Sequence, residues 1–469
     1  MKPITTTFFS TLDRQQTIDC LKFLLLPWKW KNLKNGKCVK EAEELMKNYL
    51  SIKSPQSSHD DGENCDRTIY SFYNGRAALY YALKTAGVKK GDDVIIQAYT
   101  CVTVPNAVIE VGAKPVYCDI DETLNLDPDD LRKKITNKTK AVIIQHTFGT
   151  PARIDEIKKV CDDCHPSQRI ILIEDCAHSL GAKYNNRPTG SFGDISMFSF
   201  GRDKVISSIN GGMLCINNKN LKIENSHIKD GYCLPSPPYL LIIRNLLYPI
   251  LAEISLKWYN NLKIGKIIMY ASKKLKLFPL ILNKREKTGN SYIHLNYYRM
   301  PNVLAYLLIK QFKKMDGYNE HRKNIAKFYD ENLNKINILI PQNNLSHSSI
   351  NTQQRPSRRD IPRNIDPIFL RYTIFTKKAK ELIKTAKQHN IYLGDWYRTP
   401  VAPKDINLAS IGYEQNMCSK AEKYATLTVN LPNHKGITLG DAKMVVEVIK
   451  KFQNQNCSKL SQIKLKRKN

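Results

Sequence analysis

One stretch of the sequence, residues 170–212, constrains the fold more than any other. It begins with a short apolar run, residues 170–173, that ends in two carboxylates, Glu174 and Asp175. A second apolar run follows and ends in a Gly-Arg-Asp-Lys turn that carries Lys204. Such runs are typical of buried strands, and open α/β sheets bind ligands at the carboxyl ends of their strands. The pattern therefore predicts an acid and an amine at one edge of a sheet.

An acid and a lysine at one sheet edge suit pyridoxal 5′-phosphate (PLP) chemistry. The lysine forms a Schiff base with the aldehyde, and the acid keeps the pyridine nitrogen protonated. The alternative is a buried salt bridge with a surface lysine, which is the commoner situation for any single Asp or Lys. The two side chains taken alone leave both interpretations open.

Five motifs occur in order within this stretch. They are Glu174-Asp175-Cys176-Ala177-His178-Ser179-Leu180-Gly181-Ala182, Gly190-Ser191-Phe192-Gly193-Asp194, Phe198-Ser199-Phe200, Lys204 and Gly211-Gly212. Together they resemble the core motifs of the DegT/StrS-type, PLP-dependent sugar aminotransferases. The resemblance extends from residue 40 to residue 452 and implies the aspartate-aminotransferase-like fold (fold type I). We therefore expect an α/β chain with a large domain, built on a mostly parallel mixed sheet, and a smaller C-terminal α/β domain.

The resemblance also implies roles for single residues. Lys204 matches the Schiff-base lysine, which also acts as general acid and base, and Asp175 matches the acid that holds the pyridinium. Ser199 matches a serine that contacts the cofactor phosphate, and His178 matches a residue near the cofactor's 3-oxygen. Lys204 and Asp175 are the predicted catalytic residues.

Three positions depart from the family pattern. At the start of a predicted helix, where free N–H groups favour a phosphate, Gly75 is followed by Arg76 instead of Ser or Thr. Cys101 replaces the aromatic residue that stacks on the pyridine ring, and Tyr99 is a candidate to supply the missing ring. The asparagine that reaches the partner subunit's cofactor phosphate has no strict match. Asn296 is one place early and is taken as the candidate.

Helices between short apolar strands predict right-handed crossovers and a mostly parallel sheet. We predict strands at residues 94–98, 115–119, 141–145, 170–173, 195–200, 213–216 and 368–375, and helices at 40–50, 77–86, 102–111, 153–164, 305–334 and 441–452. The predicted divisions are an N-terminal segment and surface loop (1–66), a PLP-binding domain (67–225), inserted helices (226–295), a long helix with a small C-terminal domain (296–456) and a basic tail expected to be disordered (457–469).

The expected function is transamination of a keto-sugar, nucleotide-linked by resemblance, with glutamate or glutamine as amino donor, in the biosynthesis of amino sugars for cell-surface polysaccharides. The resemblance further implies a homodimer. Relatives that act as sugar dehydratases have histidine in place of the lysine, so Lys204 favours transamination. A non-catalytic regulator, or a protein that binds a membrane surface through the same fold, is the alternative.

Charge and cysteine content limit the partners and the cellular compartment that we expect. The net charge is +30, but no nucleic-acid-binding motif is present, so no nucleic-acid partner is expected. The twelve cysteines have no framework spacing and no secretory signal precedes them, which favours a reducing cytoplasm. Cys161 and Cys164 precede His165 in a C-x-x-C-H pattern, which we interpret as the end of a helix. No metal site is predicted.

Residues 234–282 form an apolar and basic segment where the family has a shorter crossing. Against a single acid, Glu253, it carries seven basic residues, Arg244, Lys257, Lys263, Lys266, Lys273, Lys274 and Lys276. We predict inserted amphipathic helices that either pack on a protein surface or dock peripherally on an anionic membrane. The apolar and aromatic patch between residues 5 and 30 has the same two interpretations, with packing favoured.

Overall fold

The computed structural model describes residues 3–6, 10, 13–51, 67–164, 169–218, 220–221, 234–259, 264–282, 284–288, 297–333 and 364–466.

The N-terminal elements form a layer on the body of the protein. They are β1 (Ile4–Thr5), α1 (Arg14–Leu25), a 3₁₀ helix (Pro27–Asn32) and α2 (Cys38–Leu50). The Asp13 carboxylate caps α1 by accepting the N–H of Gln15 at 3.0 Å, and it also accepts from Lys314 Nζ at 2.5 Å. The same side chain therefore starts the helix and attaches it to a distant part of the chain.

The central region alternates strands and helices. Its elements are β2 (Thr68–Phe72), α3 (Gly75–Thr85), β3 (Asp93–Gln97), β4 (Thr100–Cys101), α4 (Thr103–Glu110), β5 (Lys114–Cys118), α5 (Pro128–Lys134), β6 (Thr139–Gln145), a 3₁₀ turn (Thr147–Gly149), α6 (Ile154–Cys164), β7 (Ile171–Asp175), β8 (Lys183–Tyr184), β9 (Arg187–Pro188), β10 (Ile195–Ser199) and β11 (Gly212–Ile216). Seven strands form one sheet in the order β2-β11-β10-β7-β6-β3-β5.

Strand β11 pairs antiparallel with both of its neighbours, and the other pairs in this sheet are parallel. This arrangement confirms the predicted α/β fold with a mostly parallel mixed sheet. Both faces of the sheet are buried, as crossover helices require. Val94 and Ile96 belong to the core on one face, and Ile95, between them, belongs to the core on the other.

The predicted insertion consists of helices. They are α7 (Tyr239–Lys257), α8 (Ile264–Lys274) and the short α9 (Lys284–Thr288). Helix α7 packs against both α1 and α8. The N-terminal layer and the insertion therefore form one continuous helical surface.

The C-terminal region contains α10 (Asn302–Phe312), α11 (Met315–Leu333), β12 (Ile365–Asp366), β13 (Tyr372–Phe375), α12 (Ala379–Gln388), β14 (Ile391–Tyr392), β15 (Val401–Ala402), a 3₁₀ turn (Ala409–Ile411), α13 (Ser419–Leu427), β16 (Thr428–Leu431) and α14 (Leu439–Lys466). Strands β13 and β16 pair antiparallel, and the core around them includes Ile374, Val429 and Ile449. Strand β15 pairs with β4, which brings this region to the edge of the central sheet.

Two predictions here are wrong. The single helix expected over residues 305–334 is divided into α10 and α11, which break around Lys313 and Lys314. The last helix does not end near residue 452 but continues to Lys466, through most of the tail that was expected to be disordered. Its residues after 452 include no Pro or Gly, so nothing in that part of the sequence stops a helix.

Candidate active site

One cavity, at the carboxyl ends of β7 and β10, contains all seven predicted site residues that the structure describes. These lining residues are Gly75, Arg76, Cys101, Asp175, His178, Ser199 and Lys204. The eighth, Asn296, lies outside the described residues. The strand order places β10 beside β7, with Met197 opposite Asp175. Parallel strands therefore bring the acid and the lysine-bearing turn to the same edge.

The amine of Lys204 meets a neutral imidazole. Lys204 Nζ lies 3.2 Å from His178 Nε2. Burial lowers the pKa of His178 well below its usual range, and the positive charges of Lys204 and Arg371 lower it further. The neutral ring therefore accepts a hydrogen bond from the ammonium group at Nε2 and carries its own proton on Nδ1.

Asp175 is buried at the end of β7, where its carboxylate accepts the N–H of Ala177 at 3.0 Å. Burial raises the pKa of Asp175, while the Ala177 N–H and the charge of Lys204 oppose this effect. A cation bound in the cavity beside this carboxylate would lower its pKa and be stabilised in return.

The neighbouring acid, Glu174, faces the other side of the strand and has a structural role. Its Oε1 accepts the N–H groups of Phe192 and Gly193, both at 2.6 Å, and its Oε2 accepts that of Gly190 at 2.8 Å. Burial alone would raise the pKa of Glu174, but these N–H groups and His146 outweigh it and lower the pKa. The carboxylate therefore holds the loop between β9 and β10 in place.

His146 completes this buried network. Its Nδ1 accepts the N–H of Ala152 at 3.1 Å, so the ring proton is on Nε2 and is donated to Glu174 at 3.0 Å. Cys176 lies close enough to form a three-residue cluster with these two side chains. Because both ring nitrogens and both carboxylate oxygens are engaged in hydrogen bonds, the cluster is explained by folding without a metal ion.

The start of α3 provides the features of an anion site. Asn74 caps the helix by accepting the N–H of Ala77 at 2.9 Å, and its Nδ2 is buried without a hydrogen-bond partner among the described residues. A side chain at Gly75 would place Cβ 2.7 Å from Ser199 Cβ, so only glycine fits there. The Asn74 amide, the Ser199 hydroxyl and the helix N-terminus form a donor set that fits the phosphate of PLP.

Arg76 has a partner that the sequence did not reveal. Its Nη1 bonds the carboxylate of Glu286 in α9, which is 2% exposed. The backbone oxygen of Glu286 also accepts from Asn106 Nδ2 at 3.0 Å. Because Glu286 already compensates the charge of Arg76, the phosphate-binding role of Arg76 stays a prediction.

The aromatic groups at the cavity come from an unexpected place. Cys101 lines the cavity, and burial raises the pKa of its thiol. Tyr99, which we considered as the replacement ring, does not line it, because its hydroxyl is engaged with Thr428 Oγ1 at 2.6 Å. Trp396 and Tyr397 of the C-terminal region line the cavity instead. Nothing in the local sequence around Cys101 points to residues 295 positions further along the chain.

A buried ion pair lies against one of these aromatic residues, Trp396. Arg371, which is 2% exposed, bonds Asp203 at 3.2 Å and lies 4.5 Å from the centre of the Trp396 ring. Burial alone would raise the pKa of Asp203, but the charges of Lys204 and Arg371 outweigh it and lower the pKa. The pair therefore connects the turn before Lys204 to the C-terminal wall of the cavity.

The insertion supplies the remaining wall. Asn245 of α7 and residues 279–282 line the cavity. Asn245 Nδ2 donates to the Tyr73 hydroxyl at 2.6 Å and to the carbonyl of Leu241 at 2.7 Å, whereas its Oδ1 is buried without a partner among the described residues. The sequence predicts that the insertion packs on a protein surface or docks on a membrane, and it predicts no site residue there. A lone Asn within an apolar helix was the signal that its inner face is functional, because buried amides require partners.

Three comparisons with known proteins agree with this geometry. The DegT/DnrJ/EryC1/StrS aminotransferase family matches residues 66–230 and 273–450, which is more than half of the chain. The residues between the two matches include α7 and most of α8, so the family pattern is interrupted where the insertion was predicted.

Among characterised relatives, the chain is 38% identical over 419 residues to GDP-perosamine synthase of Caulobacter vibrioides, covering 88% of this chain and 90% of that protein. It is 30% identical over 264 residues to GDP-perosamine synthase of Escherichia coli O157:H7, covering 56% of this chain and 58% of the relative. The second match thus spans little more than half of that relative's length.

Among solved structures, the chain is similar to the PLP form of Spr1654 from Streptococcus pneumoniae, with a TM-score of 0.64 and 19% identity over 97% of this chain and 98% of the other. This similarity confirms the predicted fold type I.

Proposed function

The chain belongs to the DegT/DnrJ/EryC1/StrS aminotransferase family, and we propose that it transfers an amino group to a keto-sugar in a PLP-dependent reaction. One observation carries the proposal. Lys204, Asp175 and the anion-binding start of α3 line a single cavity. Each group matches one part of the cofactor: the aldehyde, the ring nitrogen and the phosphate.

When bound, PLP supplies an aldehyde that condenses with amines and a ring that withdraws electrons from the adjacent carbon. The chain's own residues would hold the cofactor in place. Asn74, Gly75 and Ser199 would hold the phosphate, and Asp175 would keep a proton on the ring nitrogen. Cys101 would contact the ring through its polarizable sulfur.

Lys204 is the general acid and base of the proposed reaction. Its Nζ takes up the proton from the amine-bearing carbon of the donor and returns a proton to the acceptor carbon. The neutral His178 ring supports this role, because it accepts a hydrogen bond from Lys204 without adding a second positive charge. Trp396, Tyr397 and residues 279–282 cover the cavity with apolar surface and restrict water near the reacting carbon.

For the substrates, we propose a nucleotide-linked keto-sugar as acceptor and glutamate or glutamine as donor, in the biosynthesis of amino sugars for a cell-surface polysaccharide. The name of two relatives, GDP-perosamine synthase, supports a nucleotide-linked acceptor. The name of a Streptomyces kanamyceticus protein that is 38% identical over 162 residues, L-glutamine:2-deoxy-scyllo-inosose aminotransferase, supports an amino-acid donor such as glutamine.

We also propose a cytoplasmic homodimer. The nine cysteines that the structure describes are free thiols, which agrees with a reducing compartment. The dimer rests on the family resemblance, in which the partner subunit reaches the cofactor phosphate.

The test is to incubate the PLP-loaded protein with α-¹⁵N-glutamate or α-¹⁵N-glutamine and a panel of nucleotide-linked keto-sugars. We expect a ¹⁵N-amino sugar from one acceptor class, together with a visible absorbance band that borohydride abolishes. A protein that binds PLP covalently but aminates none of the acceptors would contradict the substrate proposal. A protein that never forms the band would contradict the proposal that the chain is a PLP-dependent enzyme.

A further inference from the structure

The exposed apolar side chains of this protein are concentrated on one surface. Of the sixteen large apolar residues that are exposed in the described part of the chain, all but Met417 and Leu439 lie between residues 18 and 30 or between residues 239 and 281. They belong to α1, the 3₁₀ helix after it, α7, α8 and the segment that follows α8. We call this area the docking surface.

Helix α7 has apolar residues on both of its faces. One face, which includes Ile242 and Leu246, is buried against the protein. The other carries apolar residues at spacings of three and four, all exposed or half-buried, at Leu240, Ile243, Leu247, Leu251, Ile254 and Trp258. A helix that only packed on the body would have a polar outer face.

Helix α1 repeats this pattern beside α7. Ile18, Leu21 and Leu25 form an outward stripe, and Leu25 and Trp28 are each 66% exposed. The sequence pattern favours packing for this patch, and the structure divides it: Phe23 is buried, whereas these residues are not. Large apolar patches on this scale mark an interaction site.

The charges around the docking surface indicate what it contacts. Exposed basic residues surround the apolar stripes at Arg14, Lys22, Lys31, Lys257, Lys266, Lys273, Lys274 and Lys276. Within the helices themselves the acids are Asp19, which is 3% exposed and bonded to Lys310, and Glu253. A second copy of the chain would bring the same basic residues against one another, because a two-fold interface pairs a patch with itself.

We propose that the docking surface binds peripherally to an anionic membrane. Trp28, Leu25 and the outer stripe of α7 enter the boundary between headgroups and acyl chains, and the lysines contact lipid phosphates. Helix α7 is long and apolar enough to cross a membrane by length and composition, but 33% of its most apolar stretch is buried inside the protein. Its inner face carries Asn245 in the catalytic cavity, so it lies along the membrane and does not cross it.

Membrane binding would also determine where the cavity lies. The same helix forms the outer docking surface and the inner wall of the cavity, so binding would hold the cavity next to the membrane. The docking itself does not depend on the proposed reaction, and a protein without transaminase activity would still bind vesicles.

The test is sedimentation of the full-length, PLP-loaded protein with two kinds of vesicle, phosphatidylglycerol mixed with phosphatidylcholine and phosphatidylcholine alone. Three double variants are compared with the parent: Leu25→Glu with Trp28→Glu, Lys273→Glu with Lys274→Glu, and the control Met417→Glu with Leu439→Glu. Thermal unfolding and PLP absorbance establish that each is folded, and light scattering gives the oligomeric state.

We expect binding to the anionic vesicles at low salt, loss of binding at high salt, and a reduction of about tenfold or more for both docking-surface variants. The control should bind like the parent. Three results would overturn the proposal: failure of the parent to bind anionic vesicles at low salt, unchanged binding of the Leu25 and Trp28 variant, or retention on vesicles after a carbonate wash, which would indicate a spanning helix.

Discussion

Two walls of the cavity differ in the polar groups that they carry and in what positions those groups. At the sheet edge, strand register places Asp175 and Ser199, and the turn after β10 places Lys204 beside them. On the opposite wall, α7 and residues 279–282 present an apolar surface with a single amide, that of Asn245. The first wall is described by motifs, whereas the second has no motif, and its helix α7 lies in the gap of the family match.

This difference indicates that the two walls have different functions. The sheet edge carries groups that any PLP-dependent aminotransferase needs, because they serve the cofactor and the proton. The insertion carries groups that the cofactor does not require. We therefore expect changes at the sheet edge to abolish turnover, and changes in the insertion to alter substrate binding or location and leave the chemistry intact.

The largest effect is expected at Lys204. Lys204→Ala removes the proposed Schiff-base amine and proton carrier, so kcat should fall by about 10²–10⁴-fold or more. Thermal unfolding should change little, because Lys204 lies in a turn and its Nζ bonds only His178 among the described residues. The variant should still bind PLP, without the borohydride-sensitive band. If this variant kept wild-type transaminase activity, the sheet edge would not be the wall that carries the chemistry.

The next effect concerns the two adjacent carboxylates of β7. Asp175→Asn should lower kcat by on the order of 10²-fold, because the amide does not hold a proton on the ring nitrogen. The variant should keep its stability. Glu174→Gln is the matched control, since it places an NH₂ group against the N–H donors of Phe192 and Gly193 and should lower the melting temperature instead. If both variants lost activity and stability equally, the two acids would not have separate roles.

Most of the first wall could be predicted from the sequence, for a physical reason. Parallel strands end at one edge, so the order of apolar runs places Asp175, Ser199 and Lys204 together without knowledge of packing. The contacts that distant parts of the chain make at the cavity could not be predicted in this way. Trp396 approaches Cys101 only because β15 pairs with β4, and Glu286 meets Arg76 only after the insertion has folded back. Such contacts depend on long-range packing, which no local pattern encodes.

The contacts of Asp13 attach the N-terminal layer to the rest of the protein, and their contribution to stability can be measured. Burial alone would raise its pKa, but the hydrogen bond from Lys314, the charge of Lys435 and the amide of Gln311 outweigh it and lower the pKa to about 2. A lowered carboxyl pKa contributes stability above the unfolded-state pKa, and this contribution is lost as the pH falls through the folded-state pKa. Asp13 should therefore stabilise the fold at neutral pH and stop doing so between about pH 4 and pH 2.

We expect Asp13→Asn to reduce the free energy of unfolding by about 2 kcal/mol at pH 7, and to weaken its decline at acid pH. Urea unfolding at pH 7, 4 and 3 measures both effects. Asp405→Asn is the control, because Asp405 pairs with Lys287 at an exposed position. An equal loss in both variants would show that the contacts of Asp13 add nothing beyond a surface ion pair.

The smallest effect is expected at Asn245, where the insertion enters the cavity. Its Oδ1 is buried at the cavity without a partner among the described residues, so a substrate hydroxyl or amine can donate to it. Loss of one neutral hydrogen bond costs about 0.5–1.5 kcal/mol, which corresponds to roughly a tenfold change at most. Asn245→Ala should therefore raise KM for one substrate by up to about tenfold and leave kcat nearly unchanged, because the amide does not take part in proton transfer. Ser255→Ala, on the buried face of the same helix but away from the cavity, should leave both constants unchanged. If Asn245→Ala instead lowers kcat with KM constant, the two walls share the chemistry, and the division drawn between them is wrong.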